Sequence, residues 1–295
     1  TQGRTEDYIG SWIKARGRRD DFILATKVTG RSGMVWTRDK AKGGMTRHTK
    51  SQIDEAVEKS LRRLQTDYID LYQLHWPNRQ SPHFGKHWPN QIQPTSLDAA
   101  DHQAQMLDIL QGLQQCVEAG KIRHCGLSDD TPWGINTYLK LSEQHKLPRM
   151  VSIQNEFSLL HAKDWPYLIE NCVQENVAYL PWSPLAGGLL SGKYANGARP
   201  EGSRWTYMQR NGIFRDTPQA HEAVAAYSEI AAGYGYTPAQ LALAWCDQVD
   251  GVTSTIIGAT SMSQLKEDID AFAKPLSERA MQDIAEVFNR YPAPY

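Results

Sequence analysis

Apolar residues along the chain fall into two alternating rhythms. Short runs with strand character, "FILATKV" (22–28) and "YIDLYQLH" (68–75), alternate with longer stretches whose apolar positions recur at helical spacing, such as "TKSQIDEAVEKSLRRLQ" (49–65). Thr49 or Ser51 can cap that helix, and Asp54 and Glu55 suit its positive N-terminal end. The same alternation carries on through "AQMLDILQGLQQCVEAG" (104–120), "IRHCGLSD" (122–129), "PWGINTYLKLSEQH" (132–145) and "MVSIQNEF" (150–157). It continues through "WPYLIENCVQEN", "VAYLPWSP" (177–184), "AHEAVAAYSEIAAGYG" and "TPAQLALAWCDQ", and closes with "STIIGAT" (254–260) and "SMSQLKEDIDAFA". Gly120 supplies a helix stop by its freedom to adopt a left-handed backbone.

Strands alternating with helices of this length predict parallel pairing through right-handed crossovers. A doubly wound sheet and a (β/α)8 barrel of the TIM type both satisfy that pattern. No GxGxxG follows any strand, so the usual support for a dinucleotide-binding open sheet is missing and the barrel is favoured. Six strands are predicted where a barrel needs eight. The initial helix "TEDYIGSWIKARG" has no strand before it, so the expectation is one barrel domain over residues 1–295, N-terminally incomplete, with two strands upstream of Thr1.

In a barrel the site lies at the C-terminal ends of the strands, where the βα loops converge. The last residues of the six runs are Lys27, His75, Ser128–Asp129, Gln154–Asn155, Trp182–Ser183 and Gly258–Ala259–Thr260. Each run is mostly apolar until it ends on a hydrogen-bonding group or glycine. A rim lysine that snorkels and a satisfied rim histidine are the ordinary readings of Lys27 and His75 taken singly. Six polar ends on one rim favour a pocket. The segment "WSPLAGGLLSGKY" (182–194) can bring backbone N–H groups and the Lys193 cation to a pyrophosphate, although a plain surface loop has the same composition. In "GATSMSQLKED" (258–268), Thr260 and Ser261 open a helix, a phosphate site by dipole and free amides.

Composition removes several alternatives. The 295 residues carry a formal net charge of −1, which argues against a broad electrostatic grip on nucleic acid or an anionic membrane. No apolar run approaches the roughly 18 residues needed to span a bilayer. Cys116, Cys125, Cys172 and Cys246 are scattered without a CxxC pair and read as reduced cysteines of a cytoplasmic protein. "HFGKH" offers His83 and His87 at i,i+4, but in a Pro- and Trp-bearing loop, so no metal is expected.

With these residues in hand, the chain resembles the aldo-keto reductase superfamily, closest to the branch of potassium-channel β subunits and related bacterial reductases. The matching motifs are "ATKV", "YIDLYQLHWP", "EAGKIRHCGLSD", "SIQNEFSLL", "PWSPLAGGLLSGKY" and "IIGATSMSQLKEDI", in the family's order. The resemblance implies NADPH-dependent reduction of a small carbonyl compound on a (β/α)8 barrel. By position it implies Lys27 and His75 as catalytic residues, Ser128, Asp129 and Gln154 at the nicotinamide carboxamide, and Trp182 stacked on the nicotinamide ring. Ser183, Pro184, Leu185, Gly187 and Lys193 would lie over the pyrophosphate, and Gly258, Thr260, Gln264 and Asp268 at the adenosine-phosphate end. Asp129 departs from a frequent asparagine or arginine. Asp268 replaces a frequent asparagine, which leaves NADH open beside NADPH.

The family's tetrad also contains an aspartate and a tyrosine on segments that would precede Thr1. Tyr8 is no substitute, since it sits on the first helix with Ile9, Trp12 and Ile13. Little turnover is therefore expected of these residues alone. An NADP-binding sensor or interaction subunit is the alternative reading. Arg204, Trp205, Tyr207 and Met208, in the insertion 195–216, are expected to shape the pocket. The substrate and the oligomeric state are not readable.

Overall fold

This computed structural model describes residues 3–33, 45–86, 89, 91–93, 98–207 and 213–295. The chain divides into two compact units, Thr1–Pro82 with Lys86–Ile153, and His83–Gly85 with Gln154–Tyr295.

The first unit carries β1 (Ala25–Val28), β2 (Ile69–Leu74), β3 (Ile122–Ser128) and β4 (Met150–Gln154), ordered along the sheet as along the chain. β1 pairs with β2 in parallel, with Lys27 opposite Gln73 and Val28 opposite Leu74. β2 pairs with β3 in parallel, with Gln73 opposite Gly126 and Leu74 opposite Leu127. Parallel neighbours require a crossover between them, and the helices α1 (Arg4–Arg16), α2 (Lys50–Leu64), α3 (Ala99–Glu118) and α4 (Pro132–His145) alternate with the strands accordingly. Crossover helices cover a sheet, so its strands are buried on both faces rather than alternately. β2 fits this: Ile69, Asp70, Tyr72, Gln73 and Leu74 are all buried. Ile53, Val57, Leu61 and Leu64 form the inward stripe of α2, each worth about 1.5–3 kcal/mol on full burial.

Local signals set the helix ends. The Thr49 hydroxyl accepts the Gln52 N–H, so Thr49 rather than Ser51 is the cap of α2. Thr131 caps α4 with Pro132 in its first turn. α3 starts earlier than its apolar spacing suggested, because the Asp98 carboxylate accepts from the amides of Ala100 and Asp101 and adds a polar first turn. Gly120 takes φ 72, as its role as a stop requires.

The second unit holds β5 (Ala178–Tyr179) and the helices α5 (Tyr167–Gln174), α6 (Arg204–Tyr207), α7 (Pro218–Gly233), α8 (Pro238–Gln248), α9 (Met262–Phe272) and α10 (Glu278–Arg290). Its core gathers Leu189, Tyr194, Trp205, Tyr227, Leu241 and Ile284, with alanines of α7 and α8 packed among them. The strand expected at 254–260 is not a strand. The neighbouring segment instead runs beside β5 through one parallel bridge, Tyr179 to Val252, and amide bonds from Thr253 to the Tyr179 carbonyl and from Ile256 to the Pro181 carbonyl. The reason is chemical: Pro181 has no N–H to give, and the Tyr179 N–H is spent on the Thr253 hydroxyl at 3.1 Å. α10 was not anticipated from the sequence.

At the N-terminal ends of β2 and β3, Asp70 is the anchor. Its carboxylate accepts from the Leu24 amide at 2.9 Å, Arg19 at 2.7 Å and Arg123 at 2.8 Å. Both guanidiniums also lie about the Tyr68 ring, 3.9 and 4.0 Å from its centroid. Burial works against the Asp70 charge, but the Leu24 amide and Arg19 outweigh it and hold the carboxyl below its usual value. A depressed folded pKa stabilises above the unfolded value and loses that contribution as pH falls through the folded one. Asp70→Ala is expected to cost about 3 kcal/mol in urea unfolding at neutral pH and progressively less below about pH 4; a loss under about 1 kcal/mol at pH 7 would contradict this account.

Candidate active site

Lys27, next to last in β1, lies directly opposite Gln73, and Gln73 lies opposite Gly126. Side chains alternate along a strand, so His75, two residues past Gln73, and Ser128, two past Gly126, share the face that carries Lys27. The His75 amide donates to the Val28 carbonyl at 3.0 Å, extending the β1–β2 register to the histidine itself. Gln73 is almost fully buried and its Nε2 donates to the Leu127 carbonyl at 3.3 Å, a polar floor beneath the lysine. Gly126 keeps that floor open, since a Cβ there would overlap the Ser152 hydroxyl. The first unit therefore brings together Lys27, His75, Ser128 and, one residue further, Asp129.

The electrostatics follow from burial. Desolvation lowers the Lys27 pKa, and the nearby Asp129 charge opposes that shift. Asp129 has φ 50 and is buried. Its position is set by two braces that sequence reasoning missed. The Ser81 hydroxyl donates to the Asp129 carbonyl at 3.0 Å. Next door, Arg79 and Asp130 form an ion pair with side chains 3% and 2% exposed, supported by an Arg79 bond to the Thr131 hydroxyl at 3.1 Å. A Cβ on Gly134 would overlap the Asp130 carboxylate, so glycine is required there. On the other side, His48 is pushed down to about 4 by burial and stays neutral. Its Nε2 lies 3.3 Å from the Val28 carbonyl, and its backbone exchanges two bonds with the Asn78 side chain, 2.8 and 2.9 Å. The loops after β1 and β2 are tied by that exchange.

Within the second unit, Gln154 closes β4 and is buried. Trp182 is fixed through its backbone, its amide to the Asn155 carbonyl at 2.9 Å and its carbonyl to the Phe157 amide at 3.2 Å. The Trp182 ring lies 5.9 Å from Phe84 and from the Arg215 guanidinium. After it the chain coils tightly: Ser183 at φ 56, Pro184, Leu185, then Gly187 and Gly188 at φ 70 and 101. The Lys193 ammonium lies 5.4 Å from the Tyr194 ring, and its Cε is 3.0 Å from where a Cβ on Gly188 would stand. At α9, Ser261 caps the helix, and Gln264 Oε1 accepts from both the amide and the hydroxyl of Thr260, each at 2.9 Å. Gly258 has open space beside it. Asp268 is buried, which raises its carboxyl.

Among the described residues no group of His, Cys, Asp or Glu is arranged to hold a metal, and His87 lies outside them. Met208 lies outside them too, as does the Tyr207 side chain. No described helix is long and apolar enough to cross a membrane. A shallow groove of about 680 Å³ lined by Ile13, Arg19, Leu61 and Lys121 sits at the N-terminal strand ends, among the Asp70 contacts and away from Lys27.

The sequence pattern of the aldo/keto reductase family matches residues 1–289. Protein Tas of Escherichia coli (strain K12) is 42% identical over 100% of this chain and 83% of its own length. An aldo-keto reductase of Babesia bovis is 38% identical over 84% of this chain and 88% of its own. The NADP(+) aldo-keto reductase yakc of Schizosaccharomyces pombe is 27% identical over 98% and 78% respectively.

The acid at the heart of the second unit gives a direct test of the geometry. Asp164 accepts from the Tyr179 hydroxyl at 2.7 Å and from Asn155 Nδ2 at 2.9 Å, yet burial pushes its carboxyl up to about 6, against both bonds. A raised folded pKa contributes stability that is complete below the unfolded value, about 3.9, and is lost as pH rises through 6. Asp164→Asn cannot ionise, so its stability relative to the parent should rise by about 2–3 kcal/mol between about pH 4 and 7 in urea titrations. Parallel pH profiles for the two proteins would contradict that burial.

Proposed function

The chain belongs to the aldo/keto reductase family, and on that premise we propose that it reduces aldehydes or ketones to alcohols with NADPH as the hydride source. The family carries with it a (β/α)8 barrel and a nicotinamide-dependent oxidoreductase activity. The finer assignment to this chain's residues is our reading. The observation that supports it is the register Lys27–Gln73–Gly126, which sets an amine, an imidazole and the Ser128 hydroxyl on one face at the ends of adjacent parallel strands. In the parallel barrels this is the end that carries chemistry.

Bound nicotinamide supplies the hydride; everything else falls to side chains. A carbonyl gaining hydride develops alkoxide charge, and that charge needs a proton and local donors. Lys27, half-buried with its pKa lowered by desolvation, attracts the developing oxyanion and, by the family's pattern, lowers the pKa of the tetrad tyrosine. The Asp129 charge opposes that desolvation and favours the charged amine. His75 donates to the carbonyl oxygen and orients it. By the family's pattern, Ser128 and Asp129 of the first unit are assigned to the carboxamide; by the same pattern, Gln154 and Trp182 of the second unit are assigned to the carboxamide and to the nicotinamide ring. Asp129 can accept the carboxamide N–H₂ but, while ionised, donates nothing to its oxygen.

A dinucleotide also suits the donors of the second unit. Ser183, Pro184, Leu185 and Gly187 with Lys193 fit a diphosphate. Gly258, Thr260, Gln264 and Asp268 at the start of α9 fit the adenosine phosphate. Asp268 is a carboxyl raised by burial at the place where the adenosine phosphate would lie, and an acidic residue there leaves NADH usable beside NADPH.

The test is steady-state NADPH oxidation with a panel of aliphatic and aromatic aldehydes, and cofactor affinity by fluorescence titration. In the protein carrying the family's full tetrad, Lys27→Met should lower kcat by about 100-fold or more while NADPH affinity changes by less than about threefold. A variant that retains parental kcat would remove Lys27 from the chemistry and with it this reading.

A further inference from the structure

We propose that His48 is a positioning residue for the reaction: its imidazole N–H holds the Val28 carbonyl, and through it the backbones of Lys27 and His75. The inference rests on the functional reading above, in which those two side chains act at the substrate carbonyl. It adds a third residue that acts only through them.

His48 directly precedes Thr49, the cap of α2, and is 1% exposed. An apolar residue is common at that place before a helix and would fill the space with no polar atom left over. The imidazole leaves one. Its Nδ1 has no hydrogen-bond partner among the described residues. A buried polar atom without a partner costs stability, so packing is a poor account of this histidine.

The other ring nitrogen gives a better one. Nε2 lies 3.3 Å from the Val28 carbonyl oxygen. A carbonyl only accepts, so this contact is a bond when the proton sits on Nε2, and Nδ1 is then the bare nitrogen. The same oxygen accepts the His75 amide at 3.0 Å. Val28 directly follows Lys27. One acceptor therefore gathers the His48 ring and the His75 backbone beside the lysine. Burial pushes the imidazole down to about 4, so near pH 7 the ring carries a single proton and that proton is committed to Val28. His48 orients its neighbours and transfers nothing.

The ring is aimed by the chain that carries it. The His48 amide donates to Asn78 Oδ1 at 2.8 Å, and its carbonyl accepts from Asn78 Nδ2 at 2.9 Å, in the turn just past His75. Two residues before His48, Thr46 exchanges backbone bonds with Ser32 at 2.9 and 3.3 Å, and its hydroxyl donates to the Gly30 carbonyl at 2.6 Å. Gly30 lies so near Trp76 that a Cβ there would overlap the Trp76 carbonyl oxygen. Trp76 Nε1 donates to the Arg31 carbonyl at 3.0 Å. The chain leaving β1 is thus held between Trp76 on one side and Thr46 with His48 on the other.

The test compares His48→Leu, which removes the donor and keeps an apolar side chain, with His48→Gln, whose amide N–H can reach the Val28 oxygen. In the ligand-free parent, the ring ¹⁵N signals of His48 should show a neutral imidazole protonated at Nε2, a reading that needs no variant to fold. The His75 amide should exchange with solvent about fivefold faster in His48→Leu and near the parental rate in His48→Gln. In the protein carrying the family's full tetrad, His48→Leu should lower kcat about tenfold, with aldehyde KM and NADPH affinity within about threefold of the parent. His48→Gln should recover most of that loss, a rescue that a packing role does not provide. A proton on Nδ1, parental His75 exchange in His48→Leu, or parental kcat in that variant would each overturn the proposal. Faster His75 exchange as expected, in a full-tetrad parent that turns over no aldehyde, would remove the proposed function and leave the hold on Val28 standing.

Discussion

The parallel ladder between β1, β2 and β3 is the constraint on which the first unit's chemistry depends. Because side chains alternate with a period of two, a slip of one residue between β1 and β2 would turn Lys27 away from His75. The register is held at both ends of the strands. Asp70 gathers the Leu24 amide and two arginines at the start of β2, and the His75 amide closes on Val28 after it ends. Packing of α2 and α3 then covers the strands, and the polar groups left over are those at the C-terminal tips.

Around those tips the protein spends buried polar groups on position. Arg79 with Asp130, Ser81 with Asp129, and His48 with Asn78 each tie one βα loop to a neighbour. A buried ion pair such as Arg79–Asp130 is weak evidence for net stability, since desolvation offsets much of its attraction. Its direction is what it contributes: Asp130 is fixed, so the Ser128–Asp129 turn before it is fixed. The second unit uses Glu156 in the same way to aim Arg215.

Much of this was legible in the sequence, and the limits have physical causes. β2 and α4 were readable because burial of β2 on both faces gives a dense apolar run and because Thr131-Pro132 is a strong start signal. The strand-end places of Lys27 and His75 were readable because a polar residue closing an apolar run marks where the run stops. The run at 254–260 looked like a strand, yet pairing needs donors from both sides and Pro181 has none. α10 was missed although Ser277 caps it and Ile284 and Val287 are buried on one side, because its many charged residues mask the apolar stripe. Arg79–Asp130 and Glu156–Arg215 are pairs 51 and 59 residues apart, and nothing in local spacing announces such a partner. His48 carries no local signal either, since the bond from its ring to the Val28 carbonyl emerges only once the chain is folded.

The central claim is that Lys27 and His75, brought to one face by the β1–β2 register, lie at the nicotinamide end of a single bound dinucleotide. The most direct measurement follows the side-chain resonances of both residues during titration with NADP⁺. The account predicts that the Lys27 Nζ and His75 ring signals both move and saturate together, at the nucleotide concentration that saturates binding. Saturated binding that leaves either signal where it was would contradict it.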